Sequence, residues 1–170
     1  MTGNSIRKMV LCSLFAALMA VCAWLSIPVT EVAFTMQTFA VFLALGVLGG
    51  KWGCASILIY LALGAVGLPV FAGFRGGAGV LLGLSGGYLW GFLPAGGVYW
   101  SLEKLCKPLG MAAGLLVCYL CGSLWFSLHT GIAGFRAAVV TCVVPYLIPD
   151  GIKLYLAYSL SRRLKKHLKY

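Results

Sequence analysis

Six long apolar runs, separated by short segments that hold almost all the charge, decide what this chain can fold into. They cover 9–27, 34–50, 52–68, 80–102, 109–128 and 137–160. Each approaches the ~20 residues (about 17 to 25) that a helix needs to cross the hydrocarbon core of a bilayer. The first five contain no Asp, Glu, Lys or Arg, and only the sixth does, with Asp150 and Lys153. Charged residues make up 9% of the chain and hydrophobic ones 62%, whereas a soluble domain carries roughly 25% charge. A soluble domain of ~150 residues buries only about 70% of the surface its unfolded chain exposes. No water-soluble fold hides this much apolar surface. The expectation is an all-α integral membrane protein: one domain over 1–170, a single bundle of six transmembrane helices with the lipid bilayer as solvent. The first run is too long for the apolar stretch of a cleavable signal peptide.

Charge placement sets the expected orientation. Six crossings put both termini on one side. With the N-terminus inside, Arg7, Lys8, Lys51, Lys104, Lys107, Arg162, Arg163, Lys165, Lys166 and Lys169 fall on the cytoplasmic side. Only Arg75 and Arg136 fall in outer loops, and Lys153 lies within a span. Ten against two is a clear positive-inside bias, so both termini are expected in the cytoplasm. The net charge of +10 does not point to nucleic acid. Five of the basic residues follow the last apolar run directly, where they read as an anchor facing anionic lipid.

Seven cysteines stand at 12, 22, 54, 106, 118, 121 and 142, and all but Cys106 fall in apolar runs. There a thiol behaves as a small hydrophobe. Cys118 and Cys121 form a C-x-x-C, but no second cysteine pair or histidine cluster completes a zinc site. Neither a metal nor a cofactor is expected. No G-x-x-x-x-G-K-[ST] phosphate loop occurs, so any ATP-driven work needs a partner.

Three constellations can carry chemistry. Asp150 and Lys153 are three apart and share a helix face. A charge at membrane depth costs at least about 2.5 to 3.5 kcal/mol on insertion scales and normally pairs or marks a substrate path. A mutual salt bridge that only fixes packing is the plainer alternative. Pro145 and Pro149 lie just ahead, lack N–H donors, and free the carbonyls of Thr141 and Pro145; a broken polar helix is how membrane proteins build ligand sites. Second, Thr35, Gln37 and Thr38 cluster where the second run begins, able to serve the same cavity or ordinary interhelical hydrogen bonds. Third, Gly83-Leu84-Ser85-Gly86 resembles the G-x-S-G of an intramembrane serine protease, with His129 as its base. That chemistry requires the two side chains within hydrogen-bond reach. The segment 67–79, rich in glycine and apolar residues, is a candidate lid, because irregular backbone near membrane depth is tolerated where it lines a cavity. Spans two and three form a tight hairpin through Gly49, Gly50 and Lys51.

At four places the sequence resembles the BioY family of biotin-binding S-components of energy-coupling factor transporters. They are Thr35-Met36-Gln37-Thr38-Phe39, the stretch from Gly64 to Gly73, Gly86-Gly87-Tyr88-Leu89-Trp90-Gly91-Phe92, and Pro145 with Asp150 and Lys153. The motifs keep their order, and the resemblance spans essentially the whole chain. It implies a non-enzyme in the plasma membrane of a prokaryote. Biotin would be taken from the outer face and delivered inward with a membrane coupling subunit and two ATPases. It also implies a ligand site of Asp150 and Lys153 for the ureido ring and Arg75 for the carboxylate. Gln37 and Thr35 would add polar contacts, with Phe74, Tyr88 and Trp90 as aromatic walls. Ala16 and Ala20 form a small-xxx-small stripe that the resemblance assigns to partner docking; packing inside the chain's own bundle is the other use of such a stripe. An S-component for another small vitamin, an intramembrane protease on Ser85 and His129, and a purely structural subunit are the competing readings.

Overall fold

The computed structural model describes residues 3–28, 32–131 and 135–168. Helix α1 (Gly3–Trp24) leads into two two-residue strands, β1 (Ser26–Ile27) and β2 (Phe34–Thr35). These pair antiparallel, Ser26 with Thr35 and Ile27 with Phe34, and their backbone bonds carry the chain to α2 (Gln37–Leu48) without a helix at 34–36. Gly49, at φ 81°, turns α2 into α3 (Gly50–Ala65). A loop with a 3₁₀ turn at Ala72–Phe74 and a short α4 (Ala78–Leu81) then precede α5 (Gly86–Leu102). Helix α6 (Lys107–Thr130), the short α7 (Phe135–Cys142), a 3₁₀ turn at Val144–Tyr146 and α8 (Leu147–Leu168) complete the chain.

Among the described residues, three helical stretches are long and apolar enough to cross a membrane: Ser5–Trp24, Lys107–Thr130 and Phe135–His167. Helices α2 and α3, with 12 and 16 residues, are about 18 and 24 Å long. Both fall short of the ~30 Å hydrocarbon core.

Two expected spans are interrupted. The run 80–102 is divided between α4 and α5 by Leu82–Ser85. Indoles satisfy carbonyls at this break: Trp90 Nε1 donates to Leu81 O (3.1 Å) and Trp125 Nε1 to Gly83 O (3.0 Å). The run 137–160 is likewise divided, at Val143–Tyr146. Pro145 supplies no N–H there, and Pro149 is accommodated in the first turn of α8, where the N–H would lack an intrahelical partner anyway.

Helix α2 is the centre of the molecule. Its residues Ala40, Val41, Phe42, Leu45 and Val47 are all buried, and it packs against α1, α3, α5 and α8. A helix apolar on every side is at home only when surrounded. Helices α5 and α6 lie close because Gly87 makes room for Trp125 and Gly122 for the Tyr88 ring; a Cβ at either glycine would overlap that side chain. The far ends of α3 and α5 are tied by Glu103, whose Oε2 accepts the Gly50 N–H at 2.9 Å, one of the four donors a helix start leaves unpaired.

The alanine stripe of α1 faces inward, which corrects its assignment to partner docking. Ala16 is 1% exposed and Ala20 6%, both in the core formed with α2 and α3. Small side chains let the chain's own helices approach there: Ser56 of α3 donates to Cys12 O of α1 at 2.8 Å. The exposed face of α1 instead carries Ile6, Val10, Ser13, Leu14, Ala17 and Val21.

Candidate functional site: a charged pair in an apolar cavity

A cavity of about 200 Å³ opens where the helices are interrupted. Its wall draws on β2 and the start of α2 (Phe34, Thr35, Gln37, Thr38), the loop after α3 (Phe71, Ala72, Arg75), α5 (Tyr88, Leu89, Phe92), α6 (Leu115, Cys118, Tyr119) and α8 (Asp150, Lys153).

Asp150 and Lys153 sit on one face of the first turns of α8 and are 5% and 4% exposed. Lys153 Nζ lies 2.7 Å from Asp150 Oδ1. It also donates to Thr35 O at 2.7 Å and stands 3.6 Å from the centroid of the Phe34 ring. Tyr119 donates its hydroxyl to Asp150 Oδ2 at 2.6 Å. Among the described residues each carboxylate oxygen accepts one bond, while an ionised carboxylate offers about four acceptor sites, which leaves two for a ligand's N–H groups. Among those residues the ammonium donates to two oxygens, and its third N–H has only the face of the Phe34 ring beside it. The pair is held from both sides and stays chemically open.

Arg75 lies at the rim. Its Nε donates to Ala72 O at 3.2 Å, which uses one of five N–H donors. The lining therefore carries one anion and two cations, Asp150 against Lys153 and Arg75, and a ligand with a single negative charge balances it. Gln37 lines the cavity while its Nε2 donates to the Tyr60 hydroxyl (2.9 Å), which donates in turn to Val70 O (3.1 Å). This relay fixes the loop above the cavity to α2 and α3. Phe71 pins it further, 1% exposed and edge-on to Tyr60 at 5.5 Å.

Of the expected aromatic walls, Tyr88 lines the cavity, and its hydroxyl has no hydrogen-bond partner among the described residues. Phe74 and Trp90 do not line it, which corrects their expected role. Phe74 is 65% exposed and stacks on Trp24 at 4.9 Å, with a left-handed backbone (φ 56°) that turns its side chain outward. Trp90 lies on the outer side of α5, its indole committed to Leu81 O. Tyr119, Phe34 and Tyr146 were not anticipated. The available signal for Tyr119 was a tyrosine inside an apolar run, since a buried phenol usually finds a partner. Ser85 borders the cavity, but His129 stacks on Trp125 at 4.6 Å and its Nδ1 is 3.1 Å from Trp125 O. The two do not form a nucleophile–base pair. Cys118 contributes a buried thiol, and no cluster of potential metal ligands occurs among the described residues.

A family model described as the BioY family matches residues 1–170. The chain belongs to the BioY family. Over 165 residues it is 41% identical to the biotin transporter BioY of Thermotoga maritima, covering 94% of this chain and 96% of that one. Over 159 residues it is 40% identical to a probable biotin transporter BioY of Pyrococcus horikoshii, with the same coverage. A crystal structure of the S-component for biotin from an ECF-type ABC transporter superposes with a TM-score of 0.90 at 28% identity, covering 98% of this chain and 95% of that one. A second S component of a bacterial ECF transporter has a TM-score of 0.56 at 14% identity over 98% of this chain and 99% of that one, a likeness of fold alone. With relatives named as transporters, this BioY-family chain is a multi-pass membrane protein.

Proposed function

We propose that this chain is the biotin-specific S-component of an energy-coupling factor transporter. The observation that carries the reading is the buried Asp150–Lys153 pair, held by Tyr119 and Thr35 at the wall of an otherwise largely apolar cavity. Biotin is a flat ureido bicycle with a valerate carboxylate. Its two ureido N–H groups match the two acceptor sites left on Asp150, and its ureido oxygen matches the donor left on Lys153. The carboxylate brings the one negative charge that the lining lacks, and Arg75 at the rim is placed to receive it through a charge-assisted, bidentate contact. Tyr88, Phe92 and Leu89 offer apolar surface to the bicycle.

In the same reading the chain forms a single domain, crosses the membrane six times with both termini in the cytoplasm of a prokaryote, and takes biotin from the outer face. A membrane coupling subunit with two ATPases supplies the ATP hydrolysis for which this sequence has no phosphate loop. The deciding experiment is equilibrium binding of labelled biotin to the purified chain, with other vitamins as competitors and Asp150→Asn as control. Saturable binding that biotin alone displaces, and that Asp150→Asn loses, is the expected result. Displacement by another vitamin at lower concentration would overturn the substrate assignment.

A further inference from the structure

A second concavity, of about 280 Å³, lies on α8 away from the cavity and is lined by Tyr155, Tyr158, Ser159, Arg162, Arg163 and Lys166. Helix α8 divides its faces cleanly. Asp150, Lys153, Ala157 and Ser161 are buried against the rest of the molecule, whereas Arg162, Arg163 and Lys166 are exposed. Arg162 stands 5.7 Å from the centre of the Tyr158 ring, a cation–π distance that draws the guanidinium to the groove wall. No acidic side chain lines the groove.

The same outer face runs back into bare apolar surface, with Ile148 79% and Ile152 57% exposed. Tyr158, Arg162 and Lys166 follow Ile148 by about 15, 21 and 27 Å of helix, and half of a hydrocarbon core is ~15 Å. The apolar helical stretch runs Phe135–His167; with Ile148 near its mid-depth and facing acyl chains, Tyr158 falls at the interface that Tyr and Trp favour, and the three cations fall beyond it, level with the headgroups. Two guanidiniums offer forked donors suited to phosphate oxygens, and Ser159 adds a hydroxyl.

We infer that this groove on α8 is a binding site for the phosphodiester headgroup of an anionic phospholipid, seated between the two tyrosines and Arg162, Arg163 and Lys166. The inference needs the chain to be in a membrane but does not depend on which solute it carries. A diffuse positive-inside attraction would be spread over every basic residue at that end; a site belongs to these three.

The test uses the purified full chain in nanodiscs of phosphatidylcholine with and without phosphatidylglycerol, reading lipid retained after detergent transfer by native mass spectrometry. The native chain should retain phosphatidylglycerol in preference to phosphatidylcholine. Each cation removed should lower that preference about fivefold, and R162Q/R163Q/K166Q together on the order of a hundredfold. K104Q/K107Q, which removes basic charge elsewhere, should keep it, and all variants should elute as the native chain does. Equal retention of the two lipids by the native chain, or equal loss in K104Q/K107Q, would overturn the site. Soluble glycerol phosphate stabilising the native chain as well as phosphatidylglycerol does would also overturn it, in favour of a free phosphate. Unchanged lipid preference in the triple variant, with loss of co-purifying protein, would assign the groove to an acidic protein surface instead.

Discussion

Asp150 and Lys153 form a neutral unit that tolerates burial only while both members are present. Removing one partner of a buried ion pair costs about 3 to 5 kcal/mol, because the survivor is left uncompensated. Asp150→Asn or Lys153→Met should therefore weaken biotin binding by two orders of magnitude or more, read by calorimetric titration on protein that elutes as a single species. Tyr119→Phe removes only the hydroxyl that orients Asp150 Oδ2 at 2.6 Å. A hydrogen bond to a charged group contributes roughly 1.5 to 3 kcal/mol, so a loss of about ten- to a hundredfold is expected with folding preserved; unchanged affinity would remove Tyr119 from the site. Arg75 has a sharper test, since biotin and its uncharged amide differ only at the carboxylate. The native chain should prefer the acid, and Arg75→Ala should bind both alike; a preference that survives the substitution places the carboxylate elsewhere, with Lys153 the first suspect. These charged and polar positions are legible in the sequence because each is an exception in an apolar background, where any such group needs a reason. That Phe74 and Trp90 do not line the cavity is not legible in the sequence, because an aromatic side chain is no exception there. Its identity says nothing of whether it faces the cavity, the lid or the lipid.

At the scale of the elements, apolar runs reveal where helices are but not where they stop. Every run contains 12 or more residues of one helix, and the fourth and the sixth are each divided between a short helix and a long one. The interruptions at Leu82–Ser85 and Val143–Tyr146 escape a hydropathy reading because their residues are as apolar as their neighbours. The first persists because side chains distant in sequence, such as Trp125 toward Gly83 O, take over backbone hydrogen bonds, whereas at the second the backbone re-pairs locally, Val143 N–H to Val139 O and Tyr146 N–H to Val143 O. The proline pair at 145 and 149 signalled one break; nothing comparable signalled the other. The loop after α3 is the element most exposed to test. Gly64 leaves room for the Phe71 ring, and any Cβ there would overlap it. Gly64→Val should push Phe71 from beneath the loop and part Tyr60 from Val70 O. Helices α3 and α5 should survive, while the loop becomes open to protease and biotin dissociates faster. Unchanged protease resistance together with an unchanged off-rate would mean that Phe71 does not hold the loop.

For the molecule as a whole, the inward-facing alanine stripe changes where a partner can reach it. Ala16, 1% exposed, and Ala20, 6% exposed, already serve the packing of α1 on α2 and α3, so a tryptophan at either has no room and should lower both stability and biotin binding. On the exposed face of α1, Ser13 and Ala17 are four apart, with the Ser13 hydroxyl turned back to Met9 O at 3.2 Å. Small residues at that spacing let a second helix come close in lipid, where packing rather than hydrophobicity drives association. If α1 is the docking helix, Ala17→Trp should leave biotin binding to the isolated chain intact while stopping co-purification with the coupling module and ATP-driven uptake. Ala16→Trp should lose binding and uptake together. The contrast between neighbouring positions separates docking from folding, because their side chains leave the helix about 100° apart. Uptake that persists in a well-expressed Ala17→Trp chain would remove this face of α1 from the docking surface.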